Sequence, residues 1–273
     1  MASAVAADLE RARGAVSLAV AHKAGRHAVA DLGQSGCARL LFPAIAAGTP
    51  LEAVIVNTAG GLTGGDRFST SVTLGPGARS LVTTQACERI YRSAGATAEV
   101  TTTLHAEAGA NLAWLPQETI LFDRARLSRR LAIDMAEDAT VLAMEAMLLG
   151  RKASGESLTE GLFSDSWRLR RGGRLVYADE TALAGDLAAR IGAAASLSGT
   201  CAYATLLLAS PQAAERLDAA RDLLTNEAIE GGVSTFDGLC VARLVAQDGA
   251  TLRRVLVPLL AALGTALPRV WHN

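Results

Sequence analysis

Aromatic residues are scarce in this chain: five Phe, three Trp and three Tyr among 273 residues leave little with which to stack nucleic-acid bases. Cysteine is as thinly supplied. Cys37, Cys87, Cys201 and Cys240 are far apart and irregularly spaced, which fits neither a disulfide framework nor a zinc-ligand pattern and reads as reduced thiols in a cytosol. An excess of one charge is also missing. Lys and Arg number 26 against 27 Asp and Glu, a formal net charge of −1 that exerts no long-range pull toward nucleic acid or an anionic membrane. No apolar run reaches the roughly 18 residues of a membrane helix. Asp8 and Glu10 interrupt the start of the chain where a signal peptide would carry an unbroken apolar core. These absences predict a soluble, cytoplasmic protein.

Half of the residues are apolar and 19% are charged, the balance of a well-packed globular chain. No linker rich in Pro, Ser or charge divides it, and no repeat of fixed period is visible, so residues 1–273 read as one domain. From about residue 51 to 180 the dominant period is two. Phe68, Thr70, Val72 and Leu74 alternate with polar residues, as do Ala98, Val100, Thr102 and Leu104. The same pattern holds for Leu127, Arg129, Leu131, Ile133 and Met135, with one Arg out of step, and for Phe163, Asp165, Trp167 and Leu169. Gly75-Pro76-Gly77, Gly95, Gly109 and Gly172-Gly173 punctuate these runs, the last pair as a tight hairpin. The C-terminal third changes character. Ser210-Pro211 caps a helix of about five turns through Leu217, Ala220, Leu224 and Ala228. A second helical stretch, Thr251 to Leu267, contains Pro258 and so is kinked or begins later than its pattern suggests. Gly238 to Ala246, between them, reads as a strand.

The densest motif is Asn57-Thr58-Ala59-Gly60-Gly61-Leu62-Thr63-Gly64-Gly65-Asp66-Arg67. It is no P-loop, because Lys-Ser/Thr and a helix do not follow; a strand does, and the segment reads as a turn between strands. His22, His27, His105 and His272 show no HExxH pairing, and His22 and His27 are expected on different faces of a strand, so all are weak ligands. Ser35 is not in a nucleophile elbow. Asp66, Glu118, Asp123, Glu145, Glu156, Asp179 and Glu180 recur at strand ends and turns. In pairs they would serve a hydrolase as acid and base, or hold a divalent ion weakly. The plainer reading pairs them with Arg67, Arg124 or Arg151 at the surface. The Arg clusters at 124–130 and 168–174, interleaved with acids, read as solvated strand faces or a protein contact.

Taken in order, these blocks resemble the urease accessory protein UreD (UreH) family. Asn57 to Asp66 is similar to its glycine-rich block, and Thr83-Thr84-Gln85-Ala86 with Tyr91-Arg92-Ser93 to its Thr-Thr-Gln-Ala…Tyr-Arg-Ser. Trp114 to Ile120 resembles its Trp-Leu-Pro-Gln-Glu-Thr-Ile. Glu145 with Gly150 to Glu156, and the ending Pro268-Arg269-Val270-Trp271, complete the likeness. The motif residues carried over are Gly60, Gly61, Gly64, Gly65, Asp66, Tyr91, Trp114, Gln117, Glu118, Gly150, Arg151, Gly155 and Glu156. Thr58 and Ala59 replace the family's prolines, and Cys87-Glu88-Arg89 departs from its small residues and single base.

The resemblance implies a mainly β (α+β) fold, an extended β-helix-like body of many short strands with about two α-helices in the C-terminal third. It implies a scaffold that is not itself an enzyme, binding the urease apoprotein, UreF and through it the GTPase UreG, whose GTP hydrolysis drives nickel toward urease. No cofactor would be tightly bound; nickel would be in transit, with Asp66, Glu118, Asp123 and Glu145 as weak oxygen donors along its way. The competing readings are a hydrolase using strand-end carboxylates and a structural subunit without metal traffic.

Overall fold

The computed structural model describes residues 10–44, 46, 48–151, 155–225 and 229–272. Period-two runs joined by short turns wind into a solenoid in which the chain alternates between two sheets. β4 (Leu51–Asn57), β6 (Arg79–Thr84), β9 (Asn111–Trp114) and β12 (Thr140–Leu149) lie side by side and parallel in one sheet. β5 (Arg67–Leu74), β8 (Ala98–Ala106), β11 (Arg126–Met135) and β13 (Glu160–Arg171) do the same in the other. The short β7 (Glu88–Ile90) and β10 (Thr119–Leu121) pair with each other at the turn between the sheets, β10 also lying along β12.

Antiparallel strands close both ends. The hairpin β1 (Arg13–Lys23) and β2 (Arg26–Gly36) adds to β5, and β3 (Ala38–Leu41) adds to β4. At the other end β14 (Arg174–Asp186) folds back on β13 through Gly172-Gly173, both at positive φ, the hairpin expected there. β15 (Ala202–Ala209), β17 (Leu239–Ala246) and β16 (Ile229–Phe236) extend the β12 sheet.

One core fills the space between the sheets, from Val16 and Leu18 through Leu104 and Leu127 to Trp167. In β5 only Phe68, Thr70, Val72 and Leu74 turn inward, as alternation requires. In β12 nearly every residue is buried, because a second core covers the outer face of that sheet and both sides of the strand are dry. That second core rests under α3 (Gly249–Ala262), whose Leu252, Val255, Leu256, Leu259 and Leu260 are buried.

Three short or medium α-helices occur in the described C-terminal part, where about two were expected on the mainly β body. α1 (Leu187–Gly192) is capped by Asp186, whose carboxylate accepts from Ala189 N at 2.9 Å. The five-turn helix after Ser210 is instead a 3₁₀ turn, Ala213–Arg216, and the six-residue α2 (Leu217–Asp222), with only Ala220 of its periodic set buried. Without a wide apolar stripe it has nothing to extend along; Ala228 lies outside the described residues. The last helix begins earlier than expected, at the Asp248 cap, and runs through Pro258. His22 and His27 correct another expectation. A turn at Ala24-Gly25, both at positive φ, makes them direct cross-strand partners with rings stacked 4.7 Å apart. No described helix is long and apolar enough to cross a membrane.

Candidate functional site between the two sheets

Two polar residues at inward positions of the alternating strands, Arg129 on β11 and Asp165 on β13, are both buried and directly paired in register. Arg129 Nε and Nη2 donate to the two Asp165 oxygens at 3.0 and 2.7 Å. Its Nη1 reaches across to the opposite sheet and donates to Glu145 Oε2 at 2.6 Å. Indole N–H groups complete the set: Trp114 donates to Glu145 at 3.0 Å and Trp167 to Asp165 at 3.1 Å. Burial pushes the Glu145 carboxyl above its usual range, against the opposing pull of Arg129. Glu145 is thus neither at a strand end nor in a turn but in the middle of β12, buried from both sides.

A cavity of about 60 Å³ adjoins this cluster, lined among others by Trp114, Thr119, Arg129, Glu145 and Glu88. Glu88 also lines an adjacent pocket of about 140 Å³ with Asn57, Gly60 and Cys87. Both of its oxygens accept from the Asn57 amide, at 3.1 and 3.2 Å, and burial raises its carboxyl despite that contact. Beside it Glu118 accepts from Arg253 Nη1 at 3.0 Å and from the Cys87 thiol at 3.4 Å. Burial and the Glu118 charge push that thiol up to about 11, so it stays protonated. Arg253 in turn binds the Gln117 side chain at 2.8 Å and lies 4.5 Å above the Trp271 ring.

The four acids singled out in the sequence are therefore not one cluster. Glu145 lines the cavity, and Glu118 stands behind the adjoining pocket through its contact with the Cys87 thiol. Asp66 closes the glycine turn, accepting from Ala12 N at 2.8 Å and Thr63 N at 2.7 Å. Asp123 organises a surface turn through Thr159 N at 2.6 Å and Glu160 N at 3.3 Å. Neither of these two borders the cavity, and Asp66 is not bound to Arg67, which pairs with Glu99.

The motif glycines build the turn that was expected. A Cβ on Gly64 would clash with the Ser93 hydroxyl and the Ala96 carbonyl, and Gly65 has φ +93°. Gly61 lies against Tyr91, whose hydroxyl donates to the Gly60 carbonyl at 3.1 Å. Gly150 ends β12, and after Gly155 the chain returns Glu156 to Arg151 at 3.1 Å; Lys152 to Ser154 lie outside the described residues.

Sequence reasoning passed over Arg129 and Asp165 as functional residues although both stood out as polar residues in apolar registers. Glu88 was visible only as a departure from the family pattern, and Arg253 carried no local signal at all. For a hydrolase, Glu145 and Asp165 are poorly placed: one guanidinium binds both inside the core.

The fold and site define a β-solenoid protein with an acid-rich polar cluster enclosed between its sheets. Comparison with known proteins identifies the kind. A family model described as UreD urease accessory protein matches residues 12–272. Urease accessory protein UreD of Rhizobium rhizogenes is 52% identical over 265 residues, covering 96% of each chain. Urease accessory protein UreD 1 of Brucella melitensis is 46% identical over 270 residues, covering 97% of this chain and 95% of its own. The chain belongs to the UreD urease accessory protein family, and that membership supports a role in urease maturation.

Proposed function

We propose that this chain is a cytoplasmic chaperone and scaffold of urease maturation that itself catalyses no reaction. It binds the urease apoprotein and UreF, and through UreF the GTPase UreG, while nickel is delivered to the urease active site. Family membership and the accessory-protein names of the relatives support the maturation role.

The observation that carries the nickel part of the reading is the charge balance between the sheets. Glu145 and Asp165 share one guanidinium, and Glu88 on the cavity wall is held by an amide. Buried carboxylates in excess of buried cations take up protons or attract a metal cation. Nickel arriving as cargo would displace protons, and oxygen donors hold it less tightly than imidazole or thiolate would. Weak holding suits passage. Among the acids named from sequence, Glu145 and Glu118 fit this route; Asp66 and Asp123 are engaged in turns.

Co-expression of the tagged chain with UreF, UreG and the urease subunits tests the reading. The expected result is joint recovery of urease and UreF, with nickel per urease active site rising only when the chain is present. A tagged chain that recovers neither partner overturns it.

A further inference from the structure

We propose that the end of the solenoid where the parallel strands β11 and β13 begin is a docking face for an acidic segment of a protein partner. An open cleft of about 850 Å³ lies there, lined in part by Arg92, Arg124 and Arg126. Among the described residues no carboxylate lies within ion-pair distance of Arg92 or Arg126, and the buried Nε of Arg126 has no hydrogen-bond partner. The acid nearest Arg124 is Asp123, at a slack 3.7 Å, and its other oxygen is spent on Thr159 and Glu160. Guanidinium groups so poorly matched within the chain are matched by a ligand that brings carboxylates.

The loops that carry them are held in place. Arg92 and Ala125 form an isolated antiparallel bridge, and Ser93 N donates to the Arg124 carbonyl at 3.0 Å. Arg124 itself has φ +59°, a conformation that costs energy in a residue with a side chain. Such preorganisation lowers the entropic cost of binding. Next to the cleft, half-exposed Tyr91 packs edge-on against Phe122 at 5.0 Å, and Arg151 lies 4.4 Å above the same ring. Tyrosine and arginine side by side are the residues that dominate protein interfaces. Tyr91, Arg92 and Arg151 belong to blocks of the sequence for which the inter-sheet site has no use.

Glu160 and Asp186, cross-strand neighbours at the β13–β14 end, also line the cleft, the Glu160 carbonyl accepting from Arg124 N at 2.9 Å. They select the class of ligand. A polypeptide offers backbone N–H groups to these acids and side-chain carboxylates to the arginines, whereas the phosphodiester backbone of a nucleic acid has no N–H donors and is repelled by them. The inference holds whether or not nickel passes between the sheets.

The probe is a fluorescein-labelled dodecapeptide of alternating Glu and Gly, titrated into the full chain and followed by anisotropy, with its Lys-Gly counterpart as control. Saturable binding of the acidic peptide alone is expected, weakening as salt rises from about 0.05 to 0.3 M. The Arg92→Gln/Arg124→Gln variant, altered at two exposed side chains, should bind at least about tenfold more weakly. Arg130→Gln/Arg174→Gln, on exposed arginines outside the cleft, should bind as the parent does. No saturable binding, equal weakening in both variants, or tighter binding of a single-stranded oligonucleotide than of the peptide would each overturn the proposal.

Discussion

Arg129 and Asp165 face each other across the parallel pair β11–β13 and form a two-pronged ion pair, 3.0 and 2.7 Å long, inside the space between the sheets. Because Arg129 also holds Glu145 of the other sheet, a single guanidinium ties the two layers together inside the core. Withdrawing three charges from water is expensive, and it is offset by near-complete pairing within the cluster and by the two indole donors.

Removing the cation alone should therefore be costly. Arg129→Met leaves two buried carboxylates without a counter-ion, and urea unfolding should register a loss of about 3–5 kcal/mol. Replacing all three charges, as Arg129→Met/Glu145→Leu/Asp165→Leu, should recover part of that loss. A single-variant loss below about 1 kcal/mol would mean that the cluster is solvated in solution.

The nickel route makes a separate demand on Glu145 and Glu88. Both carboxyls are raised by burial, so each favours the fold while protonated and ceases to do so as pH climbs through its folded-state value. Glu88→Gln should accordingly leave the melting temperature at neutral pH unlowered. On the proposed function, Glu88→Gln and Glu145→Gln keep the complex with UreF, UreG and urease intact by sedimentation but reduce nickel per urease active site by elemental analysis. Normal nickel content in both variants would leave the scaffold role standing and remove the internal route.

Acid should act on the fold through Asp123. Burial works against its charged form, but the hydrogen bonds from Thr159 and Glu160 and the Arg124 charge outweigh it and hold the carboxyl below the usual range. With the folded value lowered, its contribution is present above the unfolded pKa of about 3.9 and disappears as pH falls through the folded one. Asp123→Asn should lower the melting temperature at pH 7 and match the parent at about pH 2. A gap that persists in acid would show that shape rather than charge matters at this position.

The C-terminal tail should behave as part of the core. Trp271 is 3% exposed, donates to the Leu115 carbonyl at 3.2 Å and supports Arg253 above its ring. Trp271→Ala should cost about 3–5 kcal/mol in chemical unfolding. It should also free Arg253, speeding amide exchange around Gln117 and Glu118. Unchanged exchange there would disconnect the tail from the site.

Alternation alone determined much of this protein. A side-chain period of two can be met only by strands, and the runs at Phe68–Leu74, Ala98–Leu104, Leu127–Met135 and Phe163–Leu169 are the inward faces of β5, β8, β11 and β13. The glycine block was legible as a turn, and ordered motifs gave the family, because both are local in the chain. Only the tertiary structure decided what Arg129, Asp165, Glu145 and Glu88 do. Their partners stand on other strands, 16 residues away for Glu145 and 36 for Asp165, and meet them through the parallel register of the coil. Tertiary context also shortened the helix after Ser210 and carried the last one through Pro258, since burial against the β12 sheet, rather than propensity, sets where a helix is stable. Sequence fixes which residues face inward, but which inward charges meet depends on how many residues each turn of the solenoid consumes, and that is set by packing.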